Sequence, residues 1–173
     1  MKVIAVLAAL VVALLFQTTL AGMSLEAGTR VNFVLVAVVY VALALGPLAG
    51  LLAGAAGGLV QDAVAGSIVG IGGISKTLAG FLVGVLGAQF IVSQPVPRFV
   101  MFVGATMVHE LCFQSLYALV EGQPVRFIWG TLLVQAAVNG GIGLLAFQLV
   151  EGAPRWRQRR YARRSATLSR RRF

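Results

Sequence analysis

The sequence predicts an all-α integral membrane protein: a bundle of six short transmembrane helices with both termini cytoplasmic. Three observations carry this. The 173 residues are 59% hydrophobic and only 11% charged, whereas soluble domains average about 25% charged. Apolar runs near the ~20 residues needed to cross a bilayer recur from end to end. The connections between them are too short to hold a soluble domain.

The charge is unevenly placed. Fourteen basic against five acidic residues give a net +9, but nine of the basic residues are arginines between Arg155 and Arg172. Residues 1–154 hold five basic and five acidic groups and sum to zero. The chain therefore divides into a neutral six-span membrane domain, 1–154, and an Arg-rich cytoplasmic juxtamembrane tail, 155–173. A charge confined to one tail does not make a nucleic-acid surface. With a single cysteine, Cys112, no intramolecular disulfide can form.

The first span is Met1–Gly22, Lys2 followed by an apolar run, read as a retained helix rather than a cleaved signal. Ala5, Ala9 and Ala13 give it a small-residue stripe suited to helix contact. A polar connection with Glu26 and Arg30 leads to the second span, Val31–Leu45, which is short for a ~30 Å hydrocarbon core. Gly46-Pro47 turns the chain, because proline lacks an amide donor and restricts its predecessor.

The third span, Leu48–Ala65, carries glycines at 50, 54 and 58, with Asp62 at the next step of four and Gly66 and Gly70 beyond. Glycine costs up to about 1 kcal/mol in a helix interior, so its regular return inside an apolar span marks a close-packing ridge. The segment Gly66–Gly73 is expected to be a loop. The fourth span, Ile74–Val92, begins with Lys76 and Thr77 and packs through Gly80, Gly84 and Gly87. Asp62 and Lys76 are expected to form a structural ion pair closing this hairpin, since charges within spans rarely go unpaired.

Ser93–Arg98, with two prolines, reads as a turn before the fifth span, Phe99–Val120. Glu121–Arg126 precedes the sixth, Phe127–Val150. His109 and Glu110 open like a zinc-protease motif, but Phe113 stands where the second histidine belongs, and adjacent residues point about 100° apart. Glu110 and Gln114 share one helix face, as do Gln135 and Asn139. With His109 they are expected to form a polar intramembrane seam between the fifth and sixth spans. No nucleophilic triad, phosphate loop or metal set is present in the sequence, so an enzyme is not expected and no cofactor is implied.

Lys and Arg near span ends place Lys2, Arg98 and the tail inside, and Arg30, Lys76 and Arg126 outside. Arg155, Arg157, Arg159, Arg160, Arg163 and Arg164 are placed to bind anionic lipid, at about 1 kcal/mol each.

The pattern Gly58-Leu-Val-Gln-Asp62, the Gly66–Gly73 loop and Lys76-Thr-Leu-Ala-Gly80-Phe together resemble the rod shape-determining MreD family. The likeness covers nearly the whole chain in layout and is carried by Leu51–Gly84. It assigns the family's motif to Gly58, Asp62, Gly66, Gly70 and Gly80. It implies a non-enzymatic scaffold or regulatory subunit of the bacterial cell-wall elongation complex, in the cytoplasmic membrane. The implied partners are MreC, a bitopic protein with a periplasmic domain, with RodA, a class B penicillin-binding protein and MreB in the same assembly. Six short spans also resemble the layout of the substrate-binding S component of energy-coupling-factor vitamin transporters, whose small-residue docking motif is similar to the Ala5–Ala13 stripe. That likeness supplies the alternative function.

Overall fold

The computed structural model describes residues 2–19, 31–90, 92, 94–125 and 127–169, with side chains described for 3–150 of these. The connection carrying Glu26 and Arg30, and Arg126, lie outside the described residues. Six helices follow one another: α1 (Lys2–Thr19), α2 (Phe33–Leu45), α3 (Pro47–Ala65), α4 (Ile71–Gln89), α5 (Pro95–Glu121) and α6 (Trp129–Ser169). Four are long and apolar enough to cross a membrane, namely α3, α4, α5 and Trp129–Val150 of α6. The other two contain the shorter apolar stretches Val3–Thr19 and Phe33–Leu45.

The hub is α2, not the glycine-rich hairpin that dominates the sequence. It touches all five other helices among the described residues. Val34, Leu35, Val38, Val39, Val41 and Ala42 are buried around its circumference, as expected of a helix that is apolar on every side. Leu35, Val39 and Ala42 join one core with Ala79, Val83, Phe102, Ala105 and Phe147. Val34, Val38 and Val41 join another with Leu10, Ala13 and Ala53.

At 13 residues, α2 is about 20 Å long, well under the hydrocarbon thickness. It can start inside the bundle because protein groups take over from water there, the condition for ending a helix at membrane depth. Asn32 caps it, accepting at Oδ1 from Leu35 N at 3.0 Å. Phe33 N donates to Gln17 Oε1 of α1 at 2.8 Å, and Asn32 N to Asn139 Oδ1 of α6 at 3.1 Å. Gln17 Nε2 in turn donates to Val31 O at 3.0 Å.

Three boundaries differ from the sequence expectation. Pro95 and Pro97 start α5 rather than forming a turn, since a helix's first turn needs none of the amides that proline lacks. Gly72 and Gly73 belong to α4, so the loop is only 66–70. The backbone of α6 stays helical through Ser169, so the 155–173 tail begins as a continuation of the last helix.

Candidate functional site

The α3–α4 contact is built from backbone. A Cβ added at Gly50 would lie within 3.0 Å of the Gly80 carbonyl, and one at Gly54 that close to the Lys76 and Thr77 backbone. One at Gly58 would be 2.5 Å from Gly73 Cα, and one at Gly84 would run into Gly46 and Pro47. Both helices thus present a ladder in steps of four: 50, 54 and 58 against 80, 76 and 72. Lys76 occupies one rung of the α4 ladder and presents its backbone to Gly54.

The ladder ends at Asp62. Gly66 and Gly70, expected to continue it, have open space where a Cβ would stand and instead adopt φ of +64° and +110°. Their role is to turn the chain in the left-handed region that side chains disfavour. Between them they aim the start of α4 back at α3.

The expected Asp62–Lys76 ion pair does not form. Asp62, 4% exposed, spends Oδ2 on three backbone amides: Gly70 N at 2.9 Å, Gly72 N at 2.9 Å and Gly73 N at 3.2 Å. These are orphan donors of the α4 N-terminus, where the helix dipole also favours a carboxylate. The anion is satisfied by backbone, so it needs no cation. Lys76 is 2% exposed, and among the described residues its ammonium forms neither a hydrogen bond nor an ion pair.

A second polar node joins α2, α5 and α6. Asn32 Nδ2 lies 3.1 Å from His109 Nε2, and Asn139 Nδ2 donates to Thr106 Oγ1 at 3.4 Å. Thr106 Oγ1 donates to Phe102 O at 2.9 Å. All four side chains are buried. Beside them Gln135 Nε2 donates to Glu110 Oε1 at 2.5 Å across the α5–α6 interface, with Gln114 acting on the same carboxylate from one turn away. The expected seam therefore has two parts, which meet where His109 Nε2 stands 3.9 Å from Glu110 Oε1. Asn139 bonds to the start of α2, while Gln135 and Gln114 serve Glu110. The side chains of Arg155, Arg157, Arg159, Arg160, Arg163 and Arg164 lie outside the described set.

The sequence reading passed over Asn32, whose signal was available: a lone Asn immediately before an apolar run is a cap. It also passed over Gly140 and Gly143, where a Cβ would run into Phe99 and Phe102 respectively. The order Asn139-Gly-Gly-Ile-Gly143 was a second small-residue patch in plain view.

A polytopic helical membrane protein, packed by bare backbone and pinned by buried polar contacts, is the class these features define. The family model of the rod shape-determining protein MreD matches residues 1–150. The chain belongs to the MreD family, and its role is in determining rod shape. No match is found among curated proteins or among solved structures.

Proposed function

We propose that the chain is a non-enzymatic scaffold or regulatory subunit of the bacterial cell-wall elongation complex, set in the cytoplasmic membrane with both termini inside. In this proposal it binds the single span of MreC, alongside RodA, a class B penicillin-binding protein and MreB, and its arginine tail binds anionic lipid.

One observation carries the choice of surface. The ladder glycines are used up inside the α3–α4 contact, which leaves them unavailable to a partner. The outer side of the same hairpin holds an open apolar groove of about 620 Å³, lined by Leu51, Ala55, Leu59, Gly73, Thr77 and Phe81 among others. Small residues at its floor let a foreign helix approach closely, and its position on the rigid hairpin makes it pre-formed. Helix-in-groove docking needs just such a surface.

The test is co-purification of MreC with Ala55→Phe, which fills the groove without entering the ladder. MreC should be lost while the thermal stability of the chain is unchanged. If MreC is retained at the wild-type level, the groove is not the docking site. If the variant melts early, the assignment of Ala55 to an open surface is wrong.

A further inference from the structure

The helices do not all end at one depth. Asn32 Nδ2 lies 3.1 Å from His109 Nε2, which sets α5 against the start of α2. Fourteen residues lead from Asn32 to Gly46, and fourteen from His109 back to Pro95, about 21 Å along each helix. Those two ends are flush. In the other direction α3 meets α2 at Gly57, where a Cβ would stand 3.0 Å from Val34 Cγ1. It ends eight residues later at Ala65, about 9 Å beyond the level of Asn32. The α3–α4 hairpin thus rises about 30 Å from the flush ends, the thickness of the hydrocarbon core.

The fifth helix goes further. It runs twelve residues past His109 to Glu121, about 18 Å, so the α5–α6 turn overhangs the α3–α4 turn by about 9 Å. The overhang is apolar. Leu119 is 78% and Ile128 70% exposed, and Val120, Val125 and Trp129 are exposed with them. Inside the hydrocarbon such exposure is ordinary, because acyl chains cover it. In the headgroup layer, about 5–7 Å deep on each side, an aromatic such as Trp129 is at home. The aliphatic side chains have no apolar cover at that height, and an uncovered cluster of this kind marks a protein contact.

The step between the two turns also indicates what covers it. A partner span lying along α3–α4 leaves the hydrocarbon at the lower turn. Whatever follows that span is then level with the flank of the overhang. We propose that the α5–α6 overhang, through Leu119, Val120, Val125 and Ile128, docks the extramembrane domain of the partner whose span occupies the hairpin groove. The contact lies on the face opposite the chain's termini, and it rests on the proposed groove docking for the partner's identity.

The experiment is photo-crosslinking of the full-length chain in native membranes, with Leu119 or, separately, Leu59 replaced by p-benzoylphenylalanine. Position 119 should give an adduct with MreC at a residue outside its span, and Ile128→Asp should abolish that adduct. Position 59 lines the groove and should capture the span itself. If position 59 captures MreC while 119 captures only lipid, another protein or the MreC span, the groove docking stands and the overhang contact is overturned. An extramembrane adduct at 119 without any at 59 supports the overhang and refutes the groove. No MreC adduct at either position overturns both. A second measurement needs no partner: Trp156→Phe leaves Trp129 as the only tryptophan of the two in the chain. In vesicles of phosphatidylcholine, acrylamide in the water should quench it more than bromines midway along the acyl chains. The reverse order places the turn in hydrocarbon and overturns the proposal.

Discussion

Asp62→Ala is the most informative single substitution. It strands Gly70 N, Gly72 N and Gly73 N, three donors that share one carboxylate oxygen. A buried donor left unsatisfied costs about 1–3 kcal/mol, and sharing makes each of the three bonds weaker than a full one. In detergent or lipid the unfolded state also finds replacement partners, which brings the expected loss to about 3 kcal/mol. Asp62→Asn keeps an acceptor and loses the charge that faces the α4 dipole, so it should lose only about 1 kcal/mol. Lys76→Met removes a buried cation that Asp62 does not pair and should be neutral or mildly stabilising. The assay is equilibrium unfolding by SDS titration in mixed micelles, run on the two single variants and the Asp62→Ala/Lys76→Met double variant. With no direct contact, the coupling energy should stay below about 0.5 kcal/mol. A coupling above about 1 kcal/mol, with Lys76→Met as damaging as Asp62→Ala, would restore the ion pair and refute the amide cradle.

The other expectations use the same assay. Gly54→Leu and Gly80→Leu should each prevent native packing, since even a Cβ collides with backbone across the hairpin. Gly104→Ala, where a Cβ meets nothing within 4 Å, should instead stabilise by up to about 1 kcal/mol. A destabilised Gly104→Ala would show that the open face is covered. Asn32→Ala removes the α2 cap and the His109 contact together and should cost about 1–3 kcal/mol; an unchanged midpoint would mean that α2 does not begin inside the bundle. Gln135→Ala should cost only about 0.6 kcal/mol, the usual worth of a hydrogen bond between membrane helices. A much larger loss would mark Glu110 as a charge that depends on that single donor.

Local pattern made the helices and the hairpin legible. Steps of four in glycine, read as a ridge, correspond to a contact in which Gly50 meets Gly80 and Gly58 meets Gly73. Where the sequence reading went wrong, the answer depended on what another element supplied. Asp62 and Lys76 look like natural partners when only side chains are considered. The three amides that displace Lys76 belong to backbone whose orientation depends on positive φ at Gly66 and Gly70. Likewise Asn139 and Gln135 share a helix face, but α2 ends at one of them and not at the other, which no spacing on α6 can reveal. The role of α2 as hub was hidden for a similar reason: a short, uniformly apolar run has no preferred side to announce its neighbours.

A contact made of evenly spaced glycines has a hazard of its own. Sliding α3 by four residues, about 6 Å along its axis, would bring Gly54 opposite Gly80 or Gly72 and leave much of the smooth surface still matched. Repetition gives closeness without giving register. Asp62 supplies what the repeat lacks, because its three amides exist at only one alignment, much as a lone buried polar residue fixes the stagger of a coiled coil. The costliest side chain of the hairpin thereby acts as its indexing pin, and its loss should yield a hairpin that is still close-packed but no longer singly aligned.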